Sequence, residues 1–250
     1  MTEIQSLARG LMILDAIVDE SRGLSVTELA ERLDIDKSSA SRLIKTLARF
    51  DYVQQENGSR RYVLGKRLHH IGFHMLNRWP IREKAKKYLY RLVRETGECS
   101  HTAIYAEGKA LVIDDVEAEA SLRVVGGIGR LLPLHCTAVG KSLLAFSELA
   151  LPDDLRPLMP RTITDRNQLA AHLDMVRANG YAFDDEEHEP GVRCLAAPVY
   201  DPYGTPIASI GISGPTVRMT PERIEPLAQM VIQAACELSA ELGYRQGKMP

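Results

Sequence analysis

Residues 24–64, LSVTELAERLDIDKSSASRLIKTLARFDYVQQENGSRRYVL, decide the reading of this 250-residue chain. Two short amphipathic helices are predicted, in LSVTELAERL and in DKSSASRLIKTLARF, joined by little more than Asp34 and Ile35. Ser25 and Glu28 have the S-x-x-E spacing of a capping box, which marks a helix start. Val26, Leu29, Ala30 and Leu33 then fall on one apolar stripe. In the second helix Ala40, Leu43, Ile44 and Leu47 point inward, which leaves Lys37, Ser38, Ser39, Ser41, Arg42 and Lys45 toward the front and outer face. Short hydroxyl side chains permit close approach to a major groove, and long cations meet phosphates or guanine edges. The run DYVQQENGSRRYVL gives two β-rich segments around Asn57-Gly58, the dipeptide of a two-residue type I′ hairpin. Arg60 and Arg61 follow that turn, where a wing would meet phosphate. A charged outer face alone is ordinary for any helical hairpin. The cap, the tight turn, the serine-rich helix and the arginine-flanked hairpin together point to a winged helix-turn-helix that binds DNA.

Charge supports this. The net charge of −2 hides an asymmetry: residues 36–67 carry eight Lys or Arg against three Asp or Glu, and residues 81–250 carry 19 against 23. The basic segment coincides with the expected reading helix and wing, where counterion release gives non-specific affinity. With 45% apolar residues the chain can fill two cores. No run of 18 apolar residues is present, so no membrane span is expected, and the acids in and after MTEIQSLARGLMILDAI argue against a signal peptide. Cysteines 99, 136, 194 and 236 form no C-x-x-C pair, which suggests reduced thiols and a cytoplasmic protein.

Outward from the motif, Leu7, Leu11, Leu14, Ala16 and Val18 suggest a first helix packed on the other two, with Arg9 placed to reach a phosphate or minor groove. Ser25 is counted with the DNA-facing set. KRLHHIGFHMLNRW reads as a connecting helix with Leu68, Ile71, Met75 and Leu76 on one face, and Pro80 punctuates its end. The expected divisions are a winged-helix domain over 1–65, a linker helix over 66–80 and a sensor-like domain over 81–250. In the last, a helix from about Ile81 to Glu95 precedes strand-like runs in SHTAIYAEG, ALVIDDV and SLRVVGG, then a loop GIGRLLPLHC and a helix AVGKSLLAFS. Further helices cover 167–179, ending at Gly180, and run from Pro221 to about Gln246, with strands LAAPVYD and TPIASIGIS between them. Helices bracketing an antiparallel sheet make an α+β domain.

The most chemical stretch there is LLPLHCTAVGKSLLAF. Thr137 is a fair N-cap, so the amides of Ala138, Val139 and Gly140 would be unpaired at a helix start that favours an anion. Alternatively, Ala138 and Gly140 are small only to pack closely on the sheet.

The whole chain, from SLARGLMIL to its last helix, resembles the IclR family of bacterial transcription regulators. The matches are LPLHCTAVGKSLLA, GYAFDDEEHEPGVRCLAAPVYD and ASIGISGP. The resemblance implies a winged-helix head, a linker helix, and a GAF/profilin-like antiparallel sheet with flanking helices. It implies dimers, commonly paired into tetramers, near promoters. It also nominates Leu132, Ala138, Val139, Asp184, Val192, Cys194, Gly211 and Ser213 as lining an effector pocket. Gly211 stands where the family often has serine, and Val139 is bulkier than the usual glycine or alanine, which suggests an acid larger than two carbons, aromatic acids included. Asp184 would repel an anion unless it accepts from a ligand hydroxyl or is protonated; equally, it caps the loop DDEEHEPG.

An enzyme is not expected. Cys194 with His101, His135 or His188 lacks any nucleophile signature, and a cysteine in a strand-like run is commonly inert. The cluster Asp184 to Glu189 lacks the spacing of a calcium loop, so no metal or cofactor is expected. Gly126, Gly127 and Gly129 do not open a helix as a nucleotide fingerprint would, and suggest a loop over the pocket or between subunits. The expected partners are double-stranded, pseudo-palindromic promoter DNA, a small organic acid and a second copy of the chain, in a dimer or tetramer. An adaptor using the winged helix for protein contact is the rival reading.

Overall fold

The computed structural model describes residues 4–18, 20, 22–56, 58–77 and 80–245, without the side chains of 73–77 and 80. The chain divides into two units, Met1–Arg78 and Trp79–Pro250.

In the first unit, α1 (Gln5–Val18) precedes a short strand β1 (Leu24–Ser25), α2 (Val26–Arg32) and α3 (Lys37–Arg49). The hairpin strands β2 (Val53–Gln55) and β3 (Arg61–Leu64) and then α4 (Lys66–Asn77) follow. The capping box is complete: the Ser25 amide donates to Glu28 Oε2 at 2.8 Å and the Glu28 amide to Ser25 Oγ at 3.3 Å. Asp36 caps α3 rather than lying within it, its Oδ1 accepting from the Ser39 amide at 2.9 Å. Leu29 and Ile44 are fully buried against Ile13, Ala16, Ile17, Leu24 and Val53.

Two expectations change here. The inner face of α1 is Ile13, Ala16 and Ile17; Leu7, Leu11 and Val18 are exposed, because the helix carries two apolar stripes and the other one meets the core. The wing is not a two-residue turn. Asn57 lies outside the described residues, but the Glu56 amide donates to Arg61 O at 2.9 Å and the Ser59 amide to Glu56 O at 3.1 Å, so the loop takes in 57–60. Its third strand, β1, pairs with β3 through Leu24–Tyr62 and Ser25–Arg61, giving the order β1-β3-β2. On α4, Leu68 and Ile71 are half-buried, while Met75 and Leu76 lie outside the described side chains.

The second unit is a six-stranded antiparallel sheet in the order β6-β5-β4-β9-β8-β7. Helix α5 (Pro80–Thr96) leads into β4 (Cys99–Ala106) and β5 (Lys109–Val116), then β6 (Leu131–Leu132) and α6 (Ala138–Phe146). Next come α7 (Arg166–Asn179), β7 (Ala182–Asp185), β8 (Val192–Tyr200), β9 (Pro206–Pro215) and α8 (Pro221–Glu241). Period-two alternation along β8 and β9 sends Leu195, Ala197, Val199, Ile210 and Ile212 toward α5 and α8. It sends Ala196, with Ala103 and Ala182, toward α6 and α7.

The expected strand SLRVVGG is irregular, with Leu122 and Val125 exposed, and β5 pairs instead with β6, at Ala110 and Leu111. Strand β7 has no counterpart among the expected strands. The last helix ends at Glu241, short of the expected Gln246, which lies outside the described residues.

Candidate functional site

The outer face of α3 is polar and mostly uncommitted. Lys37, Ser38, Arg42 and Lys45 are exposed, and Ser39 and Ser41 half-buried. Arg42 Nη2 donates to Ser39 Oγ at 3.2 Å. Arg9 on α1 lines the same groove as Ser39, Arg42 and Thr46, so the structure brings it beside the reading helix. Arg9, Lys37, Lys45 and the exposed Arg60 make no hydrogen bond or ion pair with the described residues. Cations of the second unit behave differently: Arg91, Arg177, Arg193 and Arg218 each face a carboxylate at 2.6 Å.

Two of the expected DNA-facing residues have internal work. Ser25 is occupied by the cap of α2. Arg61 pairs with Glu28 at 2.8 Å and donates to Gly23 O at 2.7 Å, tying the wing to α2. Glu28 is correspondingly held down to about 2, by the Ser25 hydroxyl and amide first and by Arg61 after them. Arg60, at the loop, is the wing cation left for phosphate.

In the second unit a partly enclosed cavity of about 70 Å³ lies between the start of α6, the strands β4 and β5, and the loop 124–130. Of the nominated residues, Leu132, Ala138, Val139, Asp184, Val192, Cys194 and Ser213 meet at its wall. Gly140 and Gly211 are not part of that wall. The Gly140 amide is closed to a guest, because it donates to Thr137 Oγ1 at 3.2 Å, and a Cβ there would sit 2.6 Å from Leu134 Cα. A Cβ on Gly211 would sit 2.3 Å from Leu195 O, so this glycine answers to strand packing and opens no room for a ligand. That corrects the expectation that it enlarges the pocket.

Sequence reasoning missed much of the wall: Ser100 and His101 of β4, Val112 and Asp115 of β5, Val124, Val125, Arg130, His188 and Glu189. The available signal was a histidine and two aspartates inside otherwise apolar strands. Gly126 and Gly127 line the cavity, in keeping with a loop laid over a pocket.

The electrostatics are lopsided. Burial raises Asp184 to about 7, against the opposing pull of the Glu187 amide and Lys141. Burial and then Asp114 and Glu117 raise Asp115. Burial, with Arg130 second, lowers His101 to about 4, so it is neutral at pH 7. Cys194 is pushed well up by burial and by Asp184, the opposite of what a nucleophile needs. Arg130 is the cation at the wall, and it shares Glu189 at 3.1 Å. Two amides at the start of α6, Ala138 and Val139, face this acid-rich space without a side-chain or loop partner.

The acidic run itself is occupied. Asp184 Oδ1 accepts from the Glu187 amide at 2.8 Å, so it does cap the loop as well as face the cavity. Asp185 meets Arg161 and Arg193, Glu186 accepts from the Gly191 amide at 2.8 Å, and Glu187 pairs with the fully buried Lys141. Among the described residues no three His, Cys, Asp or Glu side chains converge as metal ligands.

Residues 73–240 match the model of the bacterial transcriptional regulator IclR C-terminal domain, and residues 6–57 that of the IclR helix-turn-helix domain. The chain belongs to the IclR family. Similar relatives include the HTH-type transcriptional regulator KdgR of Escherichia coli K12, 34% identical over 250 residues, covering 96% of this chain and 94% of that protein. XynR of the same strain is 34% identical, covering 98% and 99%. Among solved structures, the Thermotoga maritima IclR is 33% identical with a TM-score of 0.75, covering 97% of this chain and all of that one. This IclR-family chain is thus a DNA-binding transcriptional regulator, with the family's α+β architecture. Among the described residues no helix is long and apolar enough to cross a membrane.

Proposed function

We propose that this regulator binds a pseudo-palindromic promoter operator as a homodimer, or a tetramer of two dimers, and that a short-chain hydroxylated organic acid in the second unit sets its occupancy of a catabolic operon. The DNA reading is carried by the uncommitted cations Arg9, Lys37, Lys45 and Arg60 around α3 and the wing. Arg42, with Ser38, Ser39 and Ser41, enters the major groove; Arg60 meets wing phosphate. A second copy is supported by the exposed apolar face of α1, where Leu7, Leu11 and Val18 are 60%, 55% and 64% exposed.

Cavity chemistry supports the ligand class. The free amides of Ala138 and Val139 suit a carboxylate at a helix N-terminus. Asp184 and Asp115 suit ligand hydroxyls, which can donate to them. A dry cavity that takes up benzene measures ~150 Å³, about twice the roughly 70 Å³ present here. Size therefore favours a few-carbon acid over an aromatic one.

The test has two parts. Duplex retention by the full-length protein should fall steeply with salt, and Arg42→Ala should lose sequence preference while keeping ligand affinity within about threefold. Thermal shifts against a panel of acids should favour short hydroxy acids over their deoxy and aromatic counterparts. No retention on DNA at low salt would support the adaptor reading instead.

A further inference from the structure

The start of α3 carries a hydrogen-bond chain whose direction is fixed. Ser38 Oγ lies 2.6 Å from Asp36 Oδ1, and the Ser39 amide reaches the same oxygen at 2.9 Å. An ionised carboxylate can only accept, so the Ser38 hydroxyl must donate, and its single proton is committed to Asp36. The carboxyl is ionised at any working pH, since the Ser38 hydroxyl and then Ser39 hold it far below the usual carboxylate range. Ser38 is exposed, at the second position of the reading helix, and turns only lone pairs outward. Its neighbour differs. Ser39 Oγ accepts from Arg42 at 3.2 Å while its hydroxyl also helps to hold down Asp36, so one arm of the guanidinium is anchored and the rest remains available.

Phosphate oxygens are acceptors only, so an outward Ser38 with no free proton cannot bond to the backbone of DNA. In the major groove the exocyclic amines of adenine and cytosine are the donors; thymine O4 and guanine O6 and N7 are acceptors. Resting on the DNA-binding reading above, we propose that Ser38 is a specificity residue that reads an adenine or cytosine amine, and that Asp36 sets this choice by holding the Ser38 proton. Asp36 itself is a positioning residue. Arg42, a donor, reads a guanine or a phosphate beside it.

The experiment selects duplexes from a randomised pool with the full-length protein, then replaces each adenine or cytosine of the winner by the analogue lacking the exocyclic amine. Wild type should lose roughly five- to tenfold in affinity at one position per half-site, the worth of one hydrogen bond. Ser38→Ala, an exposed change that leaves the cap intact, should bind the parent duplex with the same loss and show no further loss with the analogue. Asp36→Asn keeps an acceptor for Ser38 and should keep the preference. Asp36→Ala frees the proton and should admit thymine or guanine at that position, with thermal unfolding and non-specific affinity checking that α3 survives. If no analogue weakens wild type, or if Ser38→Ala retains the amine dependence, the proposal is overturned. A wild-type protein that enriches no duplex overturns the DNA reading as well.

Discussion

Arg60 and Arg61 are adjacent and alike, yet their surroundings assign them opposite work. Arg60 is exposed without a partner among the described residues, whereas Arg61 bridges Glu28 and the Gly23 carbonyl. Arg60→Ala should therefore leave thermal stability unchanged and lower the slope of log affinity against log salt by about 0.9 for each phosphate it no longer neutralises. Arg61→Ala should instead lower the melting temperature of the reading head. Equal melting points for the two variants would contradict the assignment. Asp184 offers a second test. Its folded pKa, about 7, lies above its ordinary 3.8 because burial disfavours the charge. The native state thus holds a proton that the unfolded chain releases, and stability falls as pH rises from about 4 to about 7. Lys141, Glu187 and Cys194 face the same carboxyl, so the effect is a shared one, on the order of 1–3 kcal/mol at pH 8. Asp184→Asn keeps an acceptor for the Glu187 amide and should be more stable than the parent at pH 8, with the advantage vanishing near pH 4. Parallel stability profiles for the two proteins across that range would refute it.

At the scale of elements, the packing of α6 explains Gly140 and that of β8 on β9 explains Gly211. Every residue from Ala138 to Ala145 is buried, so the helix is packed on all sides, between the sheet and the 133–134 backbone. Placing serine at Gly211 should not supply a pocket hydroxyl. Its Cβ would enter the space of Leu195 O, and Gly211→Ser should cost ~1–3 kcal/mol by thermal or denaturant unfolding. A serine variant that gains ligand affinity at full stability would show the glycine to be a ligand determinant after all. The same contrast governs what the sequence could disclose. The cap at Ser25, the cap at Thr137 and the left-handed Gly180 that ends α7 at φ 79° are local, and local rules find them. Strand β7 has only four residues, too few to show a period of their own, and β6 depends on pairing Leu132 with Ala110, a partner outside its local window. Ser121–Gly127 has the composition of a strand but joins no edge of the sheet. Part of the cavity wall was hidden for a related reason: Ser100, His101 and Asp115 reach it only through sheet order.

The whole molecule separates two electrostatic regimes on one chain with a net charge of −2. Cations of the second unit are largely neutralised by carboxylates, while those around α3 stay without a carboxylate partner among the described residues. A single reading head spans few phosphates, so useful operator affinity requires two heads held at the spacing of two half-sites, about one helical turn or a multiple of it. On α1, Leu7, Leu11 and Met12 are each more than half exposed, although Ile13, Ala16 and Ile17 on the other side already close the core. If, as proposed, that face is buried against its copy and couples the heads, charging it should uncouple them. Leu11→Glu is expected to leave the fold intact, since the side chain is 55% exposed, and to shift the protein toward smaller species in sedimentation at micromolar concentration. Operator affinity should then fall by orders of magnitude, because binding of the second half-site loses its effective-concentration advantage. The salt slope should fall to about half, since each binding event now neutralises one head's share of phosphates. A variant that sediments like the parent, or that keeps the parent's slope, would place the dimer contact elsewhere.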